Sequence, residues 1–142
     1  MATKLPHLTD EYHFAIANVA ARCAQMDEHI ERTIVCAMLG QPKCTEYLLK
    51  NLGMDRVVGF LHAALIDAAP NEETPITNLI KTIKDLRTER NEILHWTWMP
   101  GMSEGQAIAS TSRPFREFRY VERSAEQVQS IADEMQTVTH AL

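Results

Sequence analysis

Ile16, Val19, Cys23, Met26, Ile30, Ile34, Ala37 and Met38 recur at steps of three and four residues, the spacing that puts side chains on one face of an α-helix. A strand would scatter the same residues over both its faces, so this run commits the chain to a long amphipathic helix and a mainly helical fold. Thr9 is placed to cap its start, and Asp10 and Glu11 follow in the first turn, where carboxylates favour the helix dipole. Gly40 and Pro42 stop the pattern. The predicted first helix covers residues 9 to 39.

Beyond it, Thr45 can cap a short turn running through Leu52. Val57, Val58, Leu61, Ala64, Leu65 and Ala68 mark a second helix that ends before Pro70. Thr74 followed by Pro75 reads as the N-cap and first position of a third helix, with Ile76, Leu79, Ile80, Ile83, Leu86, Ile93 and Leu94 as its apolar stripe. After His95 the period changes to alternation at Trp96 and Trp98, and Pro100 and Gly101 then punctuate the chain. Ser124 and Gln127 form a capping-box pattern ahead of a last stripe of Val128, Ile131, Met135 and Val138. The predicted fold class is mainly α: an up-and-down helical bundle of three principal helices, with a small β hairpin or meander before the last helix. At 142 residues, the chain is expected to form a single domain with a core that needs no staples.

Cys23, Cys36 and Cys44 are odd in number and form no CxxC pair, which fits a reducing compartment better than a disulfide framework. Charged residues interrupt the N-terminus before any signal-peptide core develops, and no apolar run approaches membrane-spanning length. The expectation is a cytoplasmic protein with no membrane partner. The net charge of −5 argues against generic polyanion binding, but the acidity is uneven. Residues 1 to 75 carry 6 basic and 10 acidic side chains, and residues 76 to 142 carry 8 and 9. An anion site is therefore expected in the second half.

Within that half, one residue conflicts with its surroundings. On a wheel of about 100° per residue, Leu79, Ile83, Leu86, Ile93 and Leu94 all fall within roughly 60° of Arg90. An arginine in the centre of an apolar stripe keeps its charge, so the fold must supply a carboxylate, carbonyls or a wet cleft. Two readings stand. Either Asp27, inside the stripe of the first helix, is the structural partner of Arg90, or Arg90 faces a groove or two-fold interface and is aimed at an anion. Both can hold together.

Other groups read first as structure. Lys81, Lys84 and Arg87 precede Arg90 at three-residue steps interrupted by Asp85 and Glu89, the pattern of a solvated face with local ion pairs. Arg87 lies nearest to Arg90's side. "RPFREFRYVER", residues 113 to 123, interleaves arginines with aromatic residues, as single-stranded RNA binding would require. It also suits an ordinary strand with one face in the core and one in water, which is the favoured reading. Trp96 and Trp98 read as core or interface anchors, and "DEHIER", residues 27 to 32, as a helix surface with one inward residue. No HExxH, clustered Cys/His spacing, glycine-rich phosphate loop or nucleophile elbow occurs.

"RNEILH", Arg90 to His95, resembles the R-x(4–6)-H motif of HEPN-domain proteins. These small helical domains often dimerise, and many are metal-independent ribonucleases acting as toxins or in phage defence. The same spacing occurs at Arg22–His29 and Arg56–His62. The third match differs in its Arg-Asn pair, its stripe-centred arginine and its place at a helix end. The resemblance implies Arg90 and His95 as the catalytic pair with Asn91 assisting. It further implies RNA as substrate, no metal or other cofactor, a homodimer, and an antitoxin or other protein partner.

The chemistry fits these residue types. An imidazole exchanges protons near neutral pH, and a guanidinium binds phosphate oxygens bidentately. Arg87, Arg116 and Arg119 are then the expected further RNA contacts. One geometric condition follows: on an ideal helix His95 lies about 140° from Arg90, so the helix must end or distort near Leu94, or a second protomer must complete the cleft. The alternative expectation is a non-catalytic helical dimer that binds a protein or nucleotide.

Overall fold

The computed structural model describes residues 8–38, 42–101, 106–110 and 120–142. It is mainly helical, with a small antiparallel sheet before the last helix, as the periodicity requires. The helices are α1 (Asp10–Ala37), α2 (Pro42–Lys50), α3 (Met54–Ala68), α4 (Glu73–His95) and α5 (Ala125–Ala141). The strands are β1 (Thr97–Pro100), β2 (Gln106–Ser110) and β3 (Tyr120–Ser124), in the order β1-β2-β3. β1 pairs antiparallel to β2 with Trp98 opposite Ala109, and β2 pairs antiparallel to β3 with Ala107 opposite Arg123.

Two expectations about the helices are corrected. The segment read as a short turn from Thr45 is α2, with Pro42 at its first position, where proline's missing N–H is harmless. Thr45 is not its cap: it is buried inside the helix one turn before buried Leu49. The third predicted helix begins at Glu73, after a 3₁₀ turn Pro70–Glu72. Pro75 thus falls at the third helical position, still among the first four N–H groups that have no intrahelical acceptor.

Other boundaries match. The Thr9 carbonyl accepts the His13 N–H at 3.2 Å, as an N-cap residue's does. The capping box at the head of α5 is complete: the Ser124 N–H donates to Gln127 Oε1 at 2.8 Å, and the Gln127 N–H donates to Ser124 Oγ at 3.1 Å.

The chain divides into two compact units. One comprises Met1–Cys23 and Arg87–Glu134, and therefore holds the start of α1, the end of α4, the sheet and the first part of α5. Its buried side chains include Tyr12, Val19, Ile93, Trp98, Ile108 and Val128. The other comprises Ala24–Leu86 and Met135–Leu142. Here Met26, Ile30, Ile34, Val58, Leu61, Ile83 and Met135 are buried, each contributing about 1.5–3 kcal/mol by leaving water. No described helix is long and apolar enough to cross a membrane.

Candidate active site at the end of the fourth helix

The last turn of α4 brings Arg90, Asn91 and His95 together. Nη1 of Arg90 donates to Asn91 Oδ1 at 2.8 Å and lies 3.2 Å from His95 Nε2. An arginine can only donate, so a hydrogen bond along this line requires Nε2 as the acceptor and the imidazole proton on Nδ1. The angular gap of the ideal helix is spanned within one chain by the reach of the Arg90 side chain, with both residues still inside α4. Trp96 contributes the last backbone bond, its N–H reaching the Glu92 carbonyl at 3.2 Å. The three side chains meet without a second protomer.

Arg90 itself is amphipathic in its placement. Its helix neighbours Leu86 and Ile93 are buried, and its Nε is buried with no hydrogen-bond partner among the described residues. Its tip reaches outward to an exposed amide and an exposed imidazole. No carboxylate pairs with Arg90 among the described residues, and Nη2 has no partner among them either. A half-buried cation held by an amide and an imidazole keeps guanidinium donors that an anion could take.

The acidic neighbour is engaged elsewhere. Glu92 Oε2 accepts from Arg123 Nη2 at 2.7 Å, in a pair whose side chains are only 20% and 10% exposed. The Arg123 carbonyl accepts the Tyr12 hydroxyl at 2.5 Å. The Tyr12 ring packs edge-on against Trp98 with centroids 6.0 Å apart, and Trp98 Nε1 donates to the Ile93 carbonyl at 2.9 Å. Burial raises the pKa of Tyr12 above its ordinary 10.0; a backbone hydrogen bond with Ala107 opposes the rise and the negative charge of Glu122 adds to it. This network begins and ends on adjacent residues of α4.

The remaining predicted residues are distributed as follows. Arg87 is half-buried one turn before Arg90 and has contacts of its own. Arg116 and Arg119 lie outside the described residues. Asp27, half-exposed on α1, belongs to the other unit. Lys81 pairs with Asp85 at 3.5 Å on an exposed face of α4, and Glu28 pairs with Arg32 on exposed α1, in keeping with the surface readings. Of the competing motif matches, His62 faces Thr77 Oγ1 at 3.4 Å, and Arg56 is exposed. Among the described residues no group of three metal-ligating side chains occurs.

Sequence reasoning missed Glu92, Arg123 and Tyr12 as neighbours of the site. Glu92 stands about 200° from Arg90 on the helical wheel, the side that pattern alone assigns to water, and strand side chains occupy that side. The available signal was Arg123 at the end of the strand-like run of alternating aromatic and charged residues. Compared with protein-family models, curated proteins and solved structures, the chain has no significant match.

Proposed function

We propose that the chain is a metal-independent ribonuclease of the HEPN type, with Arg90 and His95 as catalytic residues and Asn91 assisting. The observation that carries the reading is the 3.2 Å approach of Arg90 Nη1 to His95 Nε2 on an exposed helix end, beside a guanidinium that no described carboxylate neutralises. Phosphate oxygens of a bound RNA draw the Arg90 fork away from the imidazole. His95 Nε2, so released, takes the proton of the adjacent 2′-hydroxyl. The 2′-oxygen attacks phosphorus, Arg90 stabilises the charge that develops on the non-bridging oxygens, and the 5′-oxygen leaves with a proton from the imidazolium. The products are a 2′,3′-cyclic phosphate and a 5′-hydroxyl end.

Such an activity agrees with a toxin or defence role, with an antitoxin or other protein partner, and with a homodimer that carries two sites. The test is chemical: a single 2′-deoxy nucleotide at the cut position must abolish cleavage, and the upstream product must carry the cyclic phosphate. Cleavage that survives the 2′-deoxy substitution contradicts the mechanism. A second reading, a non-catalytic dimer that binds a protein or nucleotide, is favoured by the large apolar side chains exposed on α1 and α2: Phe14 at 69%, Tyr47 at 71% and Leu48 at 57%.

A further inference from the structure

An α-helix leaves its last four carbonyls without intrahelical donors. At the end of α4 the Glu92 carbonyl is met by the Trp96 backbone, and the Ile93 carbonyl is met by a side chain, the indole N–H of Trp98. That indole is buried, 5% exposed, and is fixed in turn by the Tyr12 ring. A second hold acts one residue earlier, where Arg123 grips Glu92 and Tyr12 grips the Arg123 carbonyl. The residues immediately before His95 are thus tied to β1 and β3 through side chains alone. His95 is the last helical residue, and its ring meets the Arg90 guanidinium at 3.2 Å in the turn that these contacts hold.

From this geometry we infer that Trp98 is a positioning residue: its indole N–H, bonded to the Ile93 carbonyl, fixes the last turn of α4 and so holds the imidazole against Arg90. The inference rests on the ribonuclease reading for its kinetic consequence, but its structural content stands apart from it. A positioning group raises the fraction of enzyme in the reactive arrangement without touching RNA. Its loss therefore lowers kcat and leaves KM in place, and a displacement of about 1 Å at a reacting group is enough to lower a rate by about 100-fold. Tyr12 and the Glu92–Arg123 pair support the same turn, whereas the Trp98 side chain bonds directly to the helix backbone at the Ile93 carbonyl.

The experiment compares the wild-type chain with Trp98→Phe, which retains a ring against Tyr12 and removes the donor. Two readouts are taken: ¹⁵N NMR of the His95 ring at fixed pH, and steady-state cleavage of a 5′-end-labelled mixed-sequence single-stranded RNA. In the wild type the ring nitrogens are expected to show a single tautomer with the proton on Nδ1. In Trp98→Phe that signature is expected to average between tautomers, with kcat lowered about 10- to 100-fold and KM within about twofold.

Should Trp98→Phe not fold, replacing the Trp98 indole by a benzothiophene, which matches its shape but has sulfur in place of N–H, gives the same comparison. A folded variant that keeps the wild-type His95 signature overturns the inference, whatever its activity. If the wild type cuts no RNA, the ribonuclease reading fails, and the NMR comparison still decides the role of Trp98.

Discussion

At the scale of single residues, the Glu92–Arg123 pair is a commitment that one substitution exposes. Both side chains are largely buried, and Arg123 Nη1 already lacks a hydrogen-bond partner among the described residues. Glu92→Ala leaves that guanidinium charged, desolvated and unpaired, and should destabilise the fold by about 3 kcal/mol in urea unfolding. The double variant Glu92→Leu/Arg123→Met removes both charges and should recover most of the loss, since two apolar side chains carry no desolvation penalty. Tyr12 provides a separate test through pH. Its folded pKa lies above 10.0, so the folded state holds the phenolic proton more tightly than the unfolded state does. The resulting stability is complete below about pH 10 and is lost as pH rises through the folded pKa. Tyr12→Phe should be less stable at neutral pH by about 1 kcal/mol, through the lost bond to the Arg123 carbonyl. It should also show a shallower alkaline decline than wild type in unfolding free energies measured between about pH 9 and 11.

At the scale of elements, the capping box of α5 was readable from Ser124 and Gln127 alone, because its two bonds are local and depend on nothing distant. Ser124→Ala removes the side-chain half of it and should lower the unfolding free energy by about 1 kcal/mol, with the loss visible as faster hydrogen exchange in the first turn of α5. The stripes of α1, α3 and α5 were equally legible, since each buries one continuous face. α2 was not, because its nine residues place Tyr47 and Leu48 in solvent and bury only Thr45 and Leu49 among the side chains with a described environment. Thr45 and Leu49 share one face, but one of the pair is polar and the other apolar residues beside them face water, so the run is too short to read as a stripe. Pro42 was read as the stop of one helix when it is the start of the next. The end of α4 was legible only in part. The wheel angle suggests that Arg90 and His95 need a break in the helix or a second protomer, whereas the long Arg90 side chain reaches the imidazole within α4. The indole and the ion pair that hold the last turn come from strands later in the chain. Pairings between distant segments leave no periodic trace.

At the scale of the whole molecule, the net charge of −5 means that any RNA must be drawn by a local feature. Among the described residues Arg90 is a candidate for such a feature, a half-buried cation whose described partners are an amide and an imidazole. The account stands or falls on whether that arrangement does chemistry. The decisive measurement is cleavage of end-labelled RNA in EDTA by purified wild type, Arg90→Ala, His95→Ala and the motif-matching control Arg56→Ala, with each variant's fold verified by circular dichroism. The prediction is metal-independent cutting by wild type and Arg56→Ala, and a loss of at least about 100-fold in the other two. Equal cutting by all four, or none by folded wild type across varied RNAs, would contradict it and leave Arg90 as a binding or structural charge.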